Sequence, residues 1–186
     1  MAGDTANPRI WEGADAYVAP IGTTPPTDVT TAWPNNWQAL GLLSEDGASE
    51  TREQDSADHF AWGGVHVRTT RSKFKRSMKI TCLEDNLAVF ELVNPGSTSD
   101  TDETGLSTRT VKNPTADPRA FGLEVRDGLI TKRRIIPHGE VTEVGEIKLS
   151  DSDMTAFELT IMIYPDSDGK LYDDLTDDEQ AADDWS

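Results

Sequence analysis

A single cysteine, Cys82, stands among 186 residues, so no intramolecular disulfide can hold this chain together. It adjoins an apolar run and reads as a small buried side chain, not as a nucleophile. Cations are scarce: 17 Lys and Arg against 34 Asp and Glu give a net charge of −17. That balance argues against a nucleic-acid binder of the usual kind, because neutralising phosphates needs a basic face. Long apolar runs are missing as well, and none approaches the roughly 20 residues that span a bilayer. The opening "MAGDTANPRIW" has no basic stretch followed by an apolar one and does not read as a secretory signal. These absences describe a chain made in a reducing cytoplasm, long enough to bury a core without disulfide or metal.

Patterns of catalysis and metal binding are lacking too. The three histidines are His59, His66 and His138, and the first two fall on opposite faces of an extended segment. No HExxH or CxxC pair occurs, and no GxSxG, Walker or GxGxxG loop. "PDSDGKLYDDL" gathers Asp166, Asp168, Asp173 and Asp174 around a glycine, a composition calcium accepts. The EF-hand spacing is absent, so an acidic Asp-Gly turn is the better reading. The expectation is a non-enzyme without cofactor.

What is present is period-2 alternation. In "FELTIMI", Phe157, Leu159, Ile161 and Ile163 share one face. Further strands are expected at Ile10–Ala19, Trp37–Gly47, Phe121–Arg126, Leu129–Ile136 and Val141–Leu149. Around a turn near Thr69–Ser72, Val65, Val67, Phe74, Met78 and Ile80 alternate with basic residues, which predicts two long antiparallel strands. One helix is expected in "TCLEDNLAVFELVNPG": Thr81 and Glu84 have capping-box spacing, Leu83, Leu87, Phe90 and Val93 form a stripe, and Asn94-Pro95-Gly96 stops it. Ser97–Pro118 reads as loop. The sum is a mainly β domain with one α-helix over residues 1–172, followed by an acidic C-terminal tail over 173–186.

Charge is unevenly spread. The segment Ser44–Asp58 is a projecting loop or hairpin bearing Glu45, Asp46, Glu50, Arg52, Glu53, Asp55 and Asp58. Arg68, Arg71, Lys73, Lys75 and Lys79 form a basic face with no acid between them. Such a chain can complement copies of itself head to tail.

Four stretches in order resemble one family. "IWEGADAYVAPIGTTPPTD" runs from a strand into a Thr-Pro loop. "LGLLSEDG" follows, then "FAWGGVHVRTTRSKFKRSMKITCLEDNLAVFELV", then "FELTIMIYPDSDGKLY". Together they resemble the major tail protein, or tail tube protein, of bacteriophages with long non-contractile tails. The resemblance implies two packed β-sheets, sandwich-like or barrel-like, flanked by one helix. It also implies hexameric rings stacked into a tube that conducts the genome, in a virion assembled in the bacterial cytoplasm. The implied partners are further copies of the chain, a tape-measure protein, and terminator and tip proteins, with DNA only as passing cargo. On this view the Ser44–Asp58 residues join ring to ring and the basic face meets a neighbouring subunit. Glu140, Glu143 and Glu146 are then candidate acids of the channel wall. Alternative readings are a carbohydrate-binding β-sandwich using Trp11, Trp33, Trp37, Trp62 or Trp185, against which Trp11, Trp37 and Trp62 sit in apolar strand patterns and are expected in the core, and a capsid decoration or head–tail joining protein.

Overall fold

The computed structural model describes residues 8–128 and 130–178. In chain order its elements are β1 (Gly13–Pro20), β2 (Gln38–Ala39), β3 (Ser49–Phe60), β4 (His66–Cys82), α1 (Leu87–Val93), β5 (Thr98–Thr101), β6 (Ser107–Thr110), β7 (Arg119–Asp127), β8 (Ile130–Val144), β9 (Phe157–Ile163) and β10 (Asp173–Thr176). The chain is therefore mainly β with one helix. The principal sheet runs β2-β1-β7-β8-β9-β4-β3, with β10 added to β8, and β5-β6 is a separate hairpin. All of its pairings are antiparallel.

This sheet curls until its two sides meet. The segment after β2 is hydrogen-bonded to β1 through Leu40 N to Ala16 O (2.8 Å). Two residues later it is bonded to β4, through Ser44 N to Thr81 O (2.9 Å) and Leu83 N to Leu42 O (2.8 Å). Leu40–Ser44 thus closes a small barrel, which removes the edges that β1 and the end of β4 would otherwise expose. Leu40, Ile80, Cys82, Val89, Ile136, Leu159 and Ile161 fill its centre, each 0–1 % exposed. Cys82 is inert there: burial first, and Glu84 second, push its thiol up to about 12.

The seam explains two departures from the sequence reading. Trp37–Gly47 is not one strand, because Gly41 takes φ +82°, a left-handed turn that favours glycine. The Glu84 carboxylate lies where a Cβ on Gly41 would stand and accepts the Leu42 N–H (2.8 Å). Glu84 therefore serves the seam and not a capping box. The helix starts later: Asn86 is the cap, accepting from Val89 N (2.9 Å) and donating to Leu40 O (3.1 Å). Ala88, Val89, Phe90 and Leu92 form its buried side, while Leu87 of the expected stripe is exposed. Asn94 does end the helix.

Two expected strands, Leu129–Ile136 and Val141–Leu149, fuse into β8. Pro137 does not interrupt it, because it sits in the irregularity between the pairs Phe121↔Ile136 and Arg119↔Gly139. There β8 also changes partners, pairing with β10 before Pro137 and with β9 from Gly139 on. Ser97–Pro118 contains the β5-β6 hairpin. Asp173–Thr176, read as the start of a tail, pairs with Lys132–Ile135. Trp185 and the rest of 179–186 lie outside the described residues.

Candidate functional site

The turn expected near Thr69–Ser72 lies earlier, at Ala61–Val65, so β4 is one continuous strand paired along its length with β3. The misplacement has a local cause. Lys73 adopts φ +53° in a bulge between the Glu53 and Asp55 pairings, which interrupts the alternation without reversing the chain. Every residue of β3 is exposed, and β3 is the edge of the sheet. The hairpin thus projects from the barrel as a two-stranded arm.

Five of the residues expected at ring contacts, Glu50, Arg52, Glu53, Asp55 and Asp58, and the whole basic face lie on or at the base of this arm. Acidic and basic segments expected to meet across subunits are adjacent strands of one subunit. Lys73 pairs with Asp55 (3.0 Å), and Asp58 accepts from the Thr69 hydroxyl (2.6 Å). From Glu53 to Lys75, four cations against three anions leave a net charge of +1; the rest of the chain carries −18. Glu45 and Asp46 sit in the turn that leads into β3, where Gly47 takes φ +72°.

The arm is anchored at its base. Glu50 pairs with Arg134, and its Oε1 lies 3.0 Å from Arg76 Nε, though without hydrogen-bond alignment. Arg134 donates twice to Asp174, at 2.8 Å each, and lies over the Tyr172 ring at 4.0 Å. Arg76 donates to the Tyr172 hydroxyl (2.8 Å). This network ties β3, β4, β8 and β10 together and takes Glu50 out of the set free to meet a neighbour. Burial pushes the Asp174 carboxyl up, but the bonds from Arg134 and Lys132 outweigh it and hold the group below its ordinary range. Neither Arg76 nor Arg134 stands out in the sequence, because their partners are far along the chain.

The barrel has two unlike outer faces. Over β1, β7 and β8 the loop of residues 20–37 folds back, and Trp33 stacks on Tyr17 (centroids 4.3 Å apart, planes 16° apart). Trp33 fits because Gly122 beneath it has no side chain. Trp37 is buried with Ala19, Ala120 and Ile135. Under this loop Arg133 donates to Glu124 (2.7 Å) and to the carbonyls of Asp28 and Thr31 (2.7 Å each), and Trp33 donates to Glu124 (2.8 Å). The opposite face, over β3, β4, β9 and β8, is bare. Its outward residues run in cross-strand rows: Thr51, Ser77, Met162, Glu140 in one, and Ser49, Lys79, Thr160, Glu143 in the next. A bulge between Val141 and Glu143 lets Glu140 and Glu143 share this face. Glu140 accepts from Asp117 N (3.2 Å), Glu143 is exposed, and Glu146 is exposed beyond the end of β8. Lys79, assigned to the basic face, sits in the same row as Glu143 and is paired with Glu158 (2.7 Å).

The tryptophans divide accordingly. Trp33 and Trp37 hold the loop down and offer no stacking surface for a sugar, whereas Trp11 is 40 % exposed and Trp62 is 103 % exposed. Trp62, expected in the core with Trp11, is instead at the tip of the arm. Among the described residues no cluster of three His, Cys, Asp or Glu could hold a metal ion.

A family model for the phage tail tube protein matches residues 1–184. The chain belongs to the phage tail tube protein family. Its role is structural, as a component of a virion tail tube. Two solved structures share the fold of this tail tube chain at 8 % identity. One is a chain of the sheath–tube complex of an extracellular contractile injection system in the extended state, with TM-score 0.50 over 93 % of this chain and 98 % of that one. The other is from the sheath/tube terminator of that system, with TM-score 0.50 over 92 % of this chain and 99 % of that one. No curated protein sequence matches.

Proposed function

We propose that this subunit assembles with copies of itself into rings, six-membered as the sequence resemblance implies, and that the rings stack into the tube of a long non-contractile tail. The tube conducts the genome into the host. Its assembly takes place in the bacterial cytoplasm, around a tape-measure protein and between terminator and tip proteins. The observation that carries this is β3: a twelve-residue, fully exposed edge strand on a projecting arm. Left alone, such an edge is a hazard; pairing with a neighbour satisfies its backbone groups. The arm supplies the contacts between subunits, including Arg52, Glu53, Asp55 and Asp58 and the cations Arg68, Arg71, Lys73 and Lys75. Negative-stain microscopy of concentrated subunit tests the reading: tubes or six-fold rings support it, and a persistent monomer refutes it.

The bare face over β3, β4, β9 and β8 is the channel wall in this reading. It is rich in Ser and Thr, and its carboxylates Glu140 and Glu143, continued by Glu146, repel DNA so that the genome slides. Its cation in the Glu143 row, Lys79, is neutralised in place by Glu158. Glu158→Gln frees Lys79. Tubes of that variant are expected to retain short DNA at low salt and release it as salt rises, with Lys79→Gln/Glu158→Gln restoring indifference. Retention measured by co-sedimentation with nuclease protection decides this; Glu158→Gln tubes that ignore DNA would remove this face from the channel.

A further inference from the structure

The arm ends in apolar side chains that nothing in its own subunit covers. Phe60, Trp62, Val65 and Val67 are 62, 103, 63 and 65 % exposed, within eight consecutive residues. At the other end of the arm, against the barrel, lies an open groove of about 370 Å³. Trp11, Leu123 and Val125 wall it, and the small residues Ala14, Gly47 and Ala48 leave its space free. Two cations also line it, Lys132 and Arg134, and both are already paired with Asp174 (3.0 and 2.8 Å). An apolar ring entering the groove therefore leaves no buried charge unpaired.

We propose that Trp62 of one copy seats in this groove on the next copy. The proposal rests on the tube reading and names the receptor that reading lacks. Three observations commit the occupant to a second copy. The first is reach. Gly47 and Ala48 immediately precede β3, whose twelve residues span about 40 Å, so a paired, extended arm holds its own tip far from its own groove. A second copy displaced along the arm by that length brings a tip to the groove. The second is charge: the outer arm carries +1 while the rest of the chain carries −18, so the arm is the part of one copy that approaches the acidic body of another without like-charge repulsion. The third is chemistry. A solvated indole at the end of a projecting hairpin is the kind of anchor that dominates interfaces when it fills an apolar pocket.

Tip and groove are different surfaces, so the contact is heterologous. Each copy offers a tip at one end and a groove at the other, and the series does not close. The displacement is then the repeat of the stack, about 40 Å along the tube.

Two measurements test this on the full-length chain. Trp62→Ala should leave the subunit's melting temperature unchanged, since the side chain is solvated in the monomer. It should raise the concentration needed for tube formation by about thirtyfold or more, the effect of losing an interface hot spot. In the second, cysteines replace Ala61, beside the retained indole, and Ala48, in the groove. Mild oxidation of assembled Ala61→Cys/Ala48→Cys tubes should give a ladder of covalent multimers, which neither single variant gives. Unchanged assembly by Trp62→Ala, absence of the ladder in tubes that form, or dimers from Ala61→Cys alone would each overturn the proposal. A wild-type chain that forms no polymer would instead sink the tube reading.

Discussion

Replacing Gln54–Phe74 with Asn-Gly yields a folded subunit that melts like the full-length chain and forms no tube. Glu53 and Lys75 are cross-strand partners, so a two-residue type I′ turn can join them and end the arm there. The cut removes the Lys73 bulge, the apolar tip and the outer cations, none of which touches the barrel core. It keeps the network of Glu50, Arg76, Arg134, Tyr172 and Asp174 at the base. Where the cut falls matters. Deleting Gly47–Ser56 would take away one arm of a hairpin, with Glu50, and leave β4 without its partner; failure to assemble would then report misfolding. Thermal unfolding and light scattering on the trimmed chain separate the two effects. Tubes of normal length from it would show that the arm is not the assembly element.

The second large effect lies under the covering loop. Arg133→Met is expected to cost about 3–5 kcal/mol of subunit stability, the usual penalty for removing one member of a buried ion pair. Arg133 is 4 % exposed and Glu124 7 %. Without the guanidinium, Glu124 loses its buried partner, and the carbonyls of Asp28 and Thr31 lose their donor. Arg133→Met/Glu124→Leu should recover part of the loss, because it removes the stranded charge as well. Acid titration supplies the companion result. Burial pushes the Glu124 carboxyl up, but the bonds from Trp33, Arg133 and Arg126 prevail, and the net displacement is downward. A carboxylate lowered in the folded state stabilises it above the ordinary glutamate value of about 4.3 and loses that contribution as pH falls through the folded value. Asp174 moves in the same direction. Denaturation followed from pH 6 to pH 2 should show wild-type stability falling below about pH 4, and Glu124→Gln should flatten that fall.

Legibility followed how local the cause was. β9 could be read outright, because a half-buried strand prints its two faces as alternating residue types, and the helix stop at Asn94-Pro95-Gly96 is local turn chemistry. The helix start was not legible. Thr81 and Glu84 satisfy a capping spacing, yet Glu84 is committed to Gly41 and Leu42, some forty residues away in sequence. The arm was half legible: its basic strand alternates, but the turn is marked only by Gly63 and Gly64, and the polar bulge at Lys73 imitates a turn more strongly. Trp62 shows the limit of reading burial from residue type, since an apolar side chain on an exposed arm looks like a core residue. The candidate wall acids Glu140 and Glu143 could not be placed on one face from spacing alone, because three residues apart on a regular strand means opposite faces. The bulge reverses that.

The closed barrel also sets an order of events during synthesis. β1 pairs along its whole length with β7, so it has no lasting partner until Asp127 has left the ribosome. β10 completes the sheet later still. The arm, by contrast, is made of consecutive strands joined by a short turn and can form as soon as β4 emerges. The nascent chain therefore displays its apolar tip before its own barrel is finished. With the groove built from β1, β7 and β8 as well as the residues that lead into β3, the tip contact proposed above can be received only by a completed subunit, which sets the timing of polymerisation in that proposal.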